Sequence, residues 1–197
     1  MVALGKPAYV TPEEYLRRER EAETKSEYEN GSIIAMSSAS TEHNRIAFDI
    51  GVSLGNQLHG NLCEPFGSDM RVRVSERKYY YPDISIVCGE PQFAGTDLLC
   101  NPTLIIEVLS DSTERSDRVV KFDAYSVLPS LNTYVLVAQD RARIECFNWQ
   151  PDNSWRLDIA VGIDAILPLP AICCELRLGE VYARVSFPPS DEDGDSA

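Results

Sequence analysis

The chain has 197 residues, 44% of them apolar and 25% charged, which suits one globular domain with its own core and leaves little room for a second. No apolar run is long enough to cross a bilayer, and the opening MVALGKPAYV lacks the pattern of a signal peptide, so a cytoplasmic protein is expected. The net charge of −13, four units of it in the closing DEDGDSA, argues against non-specific coating of polyanions; a nucleic-acid partner would need a local basic patch.

Residues 1–10 read as an arm, 11–186 as the folded domain and 187–197 as a disordered acidic tail. Thr11 before PEEYLRRER, with Pro12 at the first helical position and Glu13 and Glu14 in the first turn, predicts a helix. Asn30-Gly31 inside KSEYENGSIIAM predicts a hairpin. A second helix should open near Ser40 or Thr41 and run to about His59, with Gly60 as its stop and Ala47, Ile50, Leu54 and Leu58 as its apolar stripe. LCEPFG, MRVRV and YYYPDISIVC are strand candidates, followed by a loop from Gly89 to Pro102 and the strand TLIIEVLS. SDSTERSDRVVKFDAYSVL reads as a helix capped within Asp111–Thr113 and ended before Pro129. TYVLVAQ, ARIECFNW and SWRLDIAV are further strands, and Ile166–Val185 is apolar but broken by prolines, so mixed. This order gives an α/β fold with a mixed central sheet flanked by helices.

None of the six cysteines forms a C-x-x-C pair and only two histidines are present, which disfavours zinc. Cys88 and Cys146 lie in apolar strand-like runs and read as buried thiols.

Two acids stand where the pattern is otherwise apolar. Glu107 lies inside TLIIEVLS, and Asp83 follows Pro82 at the head of DISIV. A buried carboxylate without a partner costs several kcal/mol or takes up a proton. If the two strands are neighbours, the carboxylates converge at one end of the sheet, and a hard cation such as Mg²⁺ would neutralise both. Each could instead cap a turn or pair with an arginine. Lys121 shares a helical face with Asp117 and Tyr125. It could reach over the sheet end to steady charge on a phosphate, or stand in solvent paired with Asp117, the simpler reading. His43, in line with the buried stripe of its helix, is either ligand-facing or a hydrogen-bonded core histidine. Glu29, before the Asn30-Gly31 turn, reads as solvated. Arg71, Arg73, Arg77 and Lys78 precede Asp83, and Arg115 and Arg118 fall near Lys121. They could form a phosphate-binding rim or simply a solvated face.

PDISIV, IIEVLSDST and Asp117-x-x-x-Lys121, with EYENGSIIAM, the Ala39–His43 segment and TYVLVAQD around them, resemble the Uma-two family of putative restriction endonucleases over about Thr11–Val185. The resemblance implies a branch of the PD-(D/E)XK nucleases: a restriction-endonuclease-like fold and a site of an aspartate, a second acid and a lysine around one or two divalent cations. On this sequence it implies Asp83 and Glu107 as catalytic acids and metal ligands, with Mg²⁺ as cofactor and Mn²⁺ able to substitute. The lysine expected two residues after the second acid is Leu109 here, so Lys121 would supply that charge from the next helix. His43 and Glu29 become outer members of the site. The implied partner is nucleic acid, DNA foremost, and a homodimer would let two subunits cut two strands. A catalytically silent binding module, or a hydrolase of small phosphoesters, are the competing functions.

Overall fold

The computed structural model describes residues 9–110 and 112–187. Most of the expected arm (1–8) and tail (188–197) lies outside the described residues.

Helix α1 (Pro12–Glu21) starts as its sequence dictates, with the Thr11 hydroxyl accepting from the Glu14 amide at 3.3 Å. Strands β1 (Ser26–Glu29) and β2 (Ser32–Ala35) form the hairpin, and Asn30 and Gly31 take the two positive φ values, 49° and 97°, that its two-residue turn requires. Helix α2 (Thr41–Leu58) is capped by Ser40 and stopped by Gly60 at φ 77°. Its fully covered stripe is Ile46, Ile50, Leu54 and Leu58; Ala47 is only partly buried at its margin.

YYYPDISIVC does not form one strand. β3 (Cys63–Gly67), β4 (Arg71–Ser75), β5 (Lys78–Tyr80) and β6 (Ile84–Cys88) follow α2, and the chain leaves β5 at Tyr81-Pro82 to enter a different sheet at β6. Proline cannot donate to a ladder, so the break falls there. The loop after Gly89 contains a short strand, β7 (Leu98–Leu99), parallel to β4. β8 (Leu104–Val108), β9 (Thr133–Val137), β10 (Arg143–Trp149) and β11 (Trp155–Val161) follow, and then a hairpin of β12 (Ile166–Leu169) and β13 (Cys174–Arg177) with helix α4 (Leu178–Val181) behind it. Between β8 and β9 runs a π-helical turn, Ser116–Lys121, that continues as α3 (Phe122–Tyr125).

The central sheet has the order β11-β10-β9-β8-β6-β3, mixed because β8 and β9 run parallel while the other pairs are antiparallel. α2 and the β12–β13 hairpin pack on one face with Ile84, Ile106, Val135 and Ile144. α3 packs on the other with Ile105, Leu109, Tyr134 and Leu136. The second sheet, β2-β1-β5-β4-β7, holds a stack of Tyr15, Tyr28 and Tyr79. No described helix is long and apolar enough to cross a membrane.

Two further expectations change. Cys88 is not a free thiol: it is the cross-strand partner of Cys63 on β3, the two Cα atoms are 4.0 Å apart, and the sulfurs are joined as a disulfide. Cys146 is a buried thiol as read. Arg71 is on neither a rim nor a solvated face. It is 1% exposed, lies against the rings of Tyr15 and Tyr81, and pairs with Asp97, which also holds Arg20 at 3.1 Å.

Removing Asp97 would strand a buried guanidinium, so Asp97→Ala should cost about 3 kcal/mol in urea denaturation at neutral pH. Partial burial works to raise the Asp97 carboxyl, but Arg20 and Arg71 outweigh it and hold the group below its ordinary 3.8. Its contribution is therefore complete above pH 3.8 and is lost as pH falls through the lower folded value, so the gap between wild type and variant should close in acid.

Candidate functional site

Asp83 sits in the bend between the two sheets, one residue before β6, and the Ile84–Ile106 register of β6 and β8 sets it beside Glu107. Its Oδ2 accepts from the Val108 amide at 2.7 Å and meets Nε2 of His43 at 3.2 Å. His43 reaches it because the Ser40 cap fixes the first turn of α2 directly over this end of the sheet. Burial works to lower the His43 imidazole, but the Asp83 carboxylate outweighs it and holds the ring above its ordinary value.

Glu107 is 3% exposed on the opposite face of β8, the face covered by α3. Its Oε1 receives Lys121 Nζ and the Tyr125 hydroxyl, each at 3.3 Å. Lys121 is not in solvent. Its ammonium is buried among three carboxylates, Glu27 at 3.0 Å, Asp117 at 3.2 Å and Glu107 at 3.3 Å. Leu109, two residues beyond Glu107, is packed in the apolar cluster beneath α3.

The lysine arrives there through an irregular helix. In the π-helical turn the Phe122 amide bonds back to the Asp117 carbonyl, and the buried Tyr134 hydroxyl donates to that same carbonyl at 3.0 Å. This widened turn puts Asp117 and Lys121 together on the sheet side, and such turns are frequent at functional sites.

Two members of the cluster were not among the residues singled out by sequence. Glu27 is buried on β1, accepts from the Tyr81 amide at 3.2 Å and touches Lys121, whereas Glu29, two residues on, stands half-covered at the hairpin end and pairs with Lys78 at 3.0 Å. Period-two alternation places both acids on one face of SEYE, so the pattern held the signal; only the tertiary fold shows which is covered. Asp117 was read as a helical neighbour of Lys121 and is itself 2% exposed.

Four carboxylates, Glu27, Asp83, Glu107 and Asp117, thus meet one ammonium and one imidazole. Burial drives the Glu107 carboxyl well above the usual carboxylate range; Lys121 opposes this, and Asp117, Asp83 and Glu27 add to it. Burial works to lower the Lys121 ammonium, yet Glu107, Glu27 and Asp117 hold it well above its ordinary value. The Lys121 shift reports an ammonium outweighed by carboxylates, whereas the Glu107 shift comes first from burial and only then from the neighbouring acids.

The donor set suits a hard divalent cation. Among the described residues no hydrogen bond uses Asp83 Oδ1 or Glu107 Oε2, while the buried Asp117 Oδ1 faces the Lys121 ammonium at 3.2 Å. No cage of three or more His, Cys, Asp or Glu ligands is preformed among the described residues. Mg²⁺ needs none, because one or two carboxylates, waters and substrate phosphate complete its shell. Beside the cluster an open groove of about 450 Å³ is lined by Lys78, Arg118, Val119, Val120, Phe122 and Asp123. Arg118 there is tied to Glu145 at 2.6 Å and Glu114 at 2.7 Å, and Arg115 is exposed.

Residues 12–178 match the family model Uma2, described as a putative restriction endonuclease. Two uncharacterized proteins of Synechocystis sp. are similar: sll1609, 36% identical over 84% of this chain and 95% of its own, and slr1290, 35% identical over 90% and 94%. A crystal structure from Anabaena variabilis, described as a putative nuclease belonging to DUF820, superposes with a TM-score of 0.73 over 88% of this chain and 98% of its own, at 18% identity. The restriction-endonuclease-like fold expected from the sequence is the one observed.

Lys121→Met should cost at least about 3 kcal/mol, since it leaves three buried carboxylates without their cation. Combining it with Glu107→Gln should cost less than the sum of the two single changes, by about 1 kcal/mol or more in a denaturation double-mutant cycle. Glu29→Gln, at a half-covered pair, should stay within about 1 kcal/mol of wild type in the same measurement.

Proposed function

Because the chain belongs to the Uma2 family, described as putative restriction endonucleases, we propose that it is a divalent-cation-dependent endonuclease acting on phosphodiester bonds of nucleic acid, with DNA as the first substrate to test. The observation that carries this reading is the set of three buried carboxylates around Lys121, with the partly exposed Asp83 next to Glu107 in register and unused oxygens on Asp83 and Glu107.

Asp83 and Glu107 would hold Mg²⁺, or Mn²⁺ in its place. When bound, such an ion supplies Lewis acidity and a water acidic enough to attack phosphorus. The chain's own residues do the rest. His43 and the Val108 amide both hold Oδ2 of Asp83, which leaves Oδ1 without a hydrogen bond among the described residues. Tyr125 and Lys121 hold Oε1 of Glu107 and keep Oε2 available. Lys121 also sets the net charge of the pocket: with the ammonium in place the surplus is small enough for a cation to cancel. We assign it the lysine role that Leu109 cannot fill, exercised from the π-helical turn. Glu27 and Asp117 position Lys121, and Glu29 acts only at the rim through Lys78. Arg73, Arg77 and Arg115 would meet phosphates, although Lys78 and Arg118 first have to exchange carboxylate partners. We place this activity in the cytoplasm.

A second reading keeps the fold and drops the chemistry. Leu109 is buried in the apolar cluster and Lys121 is fully engaged by carboxylates, which favours a binding module with no turnover.

Titration calorimetry with Mn²⁺ separates these readings. Wild type should bind the ion and Glu107→Gln should not, with circular dichroism showing both folded. Plasmid cleavage should then require Mg²⁺ or Mn²⁺ and fall in Glu107→Gln by more than the roughly 10–100-fold that loss of an outer-shell partner of a metal ligand costs. No ion binding to folded wild type would refute the metal-dependent reading; ion binding without cleavage of DNA or RNA would favour the silent module.

A further inference from the structure

β11 is an edge of the central sheet. It pairs with β10 on one side and, among the described residues, with no strand on the other. Leu157, Ile159 and Val161 alternate along it at 44, 46 and 63% exposure, while Arg156 and Asp158 project from the opposite face. A seven-residue edge with open amides and carbonyls and an apolar stripe is a template for another strand, and proteins that leave such edges free usually blunt them with charge, proline or a bulge. Two charges interrupt this one, and their spacing says what fits beside them.

In an antiparallel pair, opposing residues point to the same face. A strand that meets its own copy about a two-fold axis must therefore be centred on a residue, never between two. Centring on Arg156 sets arginine against arginine; centring on Asp158 sets aspartate against aspartate. Both juxtapose like charges. Centring on Ile159 leaves Arg156 opposite Gly162 and Asp158 opposite Ala160, with neither charge matched. Centring on Leu157 sets Arg156 of each copy opposite Asp158 of the other, Leu157 opposite itself, and Trp155 opposite Ile159. That register alone matches both charges and keeps the apolar stripe continuous.

We infer that the chain forms a homodimer by pairing β11 with its own copy, centred on Leu157, so that two central sheets join edge to edge. Leu157 and Arg156 are exposed, so their variants leave the core untouched; Asp158 also accepts from the buried Asn148 at 3.0 Å, so circular dichroism and thermal melting check the fold of every variant before its association is read.

Analytical ultracentrifugation up to about 100 μM, well above the micromolar dissociation constant of a small interface, reads the outcome directly. Wild type should sediment as a dimer and Leu157→Lys as a folded monomer. Arg156→Asp and Asp158→Arg should each weaken dimerisation at least tenfold, and the double swap should restore it. Leu157→Cys should cross-link to its copy under mild oxidation, beyond any background from exposed Cys173 in wild type. A wild type that stays monomeric would overturn the inference and leave the edge to another partner. A dimer that persists in Leu157→Lys, or a double swap no better than the single changes, would overturn it in favour of a different surface.

Discussion

The site depends on one buried ammonium. Lys121 Nζ is the only described lysine or arginine charge set among Glu27, Glu107 and Asp117, three carboxylates drawn from three separate elements. Without it, each acid would have to be protonated or would drive its strand or helix away from the others. With it, β1 of the small sheet, β8 of the central sheet and the helix between β8 and β9 are fastened at one point. The arrangement is poor as pure stabilisation, because burying ions costs much of what their attraction returns, and apolar residues would fill the same space more cheaply. That the fold carries a charged cluster here, with unused carboxylate oxygens, is the physical argument for chemistry at this place.

The topology explains how such a cluster can exist. Asp83 and Glu107 come from antiparallel neighbours, but Asp83 lies in the bend that links the two sheets and turns toward α2, while Glu107 lies under α3. Pro82 makes that bend by ending β5's ladder. The same bend carries the Tyr81 amide to Glu27 and so ties the small sheet to the site. The irregularity in the chain path is what brings acids from both sheets together.

Much of this was legible in the sequence. The capped helices, the Asn30-Gly31 hairpin and the strand holding Glu107 rest on local chemistry that a short stretch contains. Glu107 was conspicuous because its neighbours were apolar. What could not be read depends on distant residues. Lys121 and Asp117 look like an ordinary i, i+4 surface pair until Tyr134, a residue of β9, takes the Asp117 carbonyl and widens the turn. Glu27 and Glu29 differ only in what covers them, and the cover is Tyr81 and Lys121. Arg71 alternates with valines like a solvated strand residue, yet Tyr15, Tyr81 and Asp97 enclose it. The Cys63–Cys88 link likewise required knowing that β3 pairs with β6.

The open edge and the site are connected by register. Glu107 of β8 lies opposite Leu136 of β9, Leu136 opposite Glu145 of β10, and Glu145 opposite Ile159 of β11, so one row crosses the sheet from the acid to the edge on a single face. The pairing proposed at β11 would set the two Glu107 side chains seven strand spacings apart, roughly 35 Å before twist is counted. Sheet twist of roughly 20–25° at each pairing would turn the two sites well away from a common face, so the proposed edge contact would carry each acid cluster as a separate site rather than align the two.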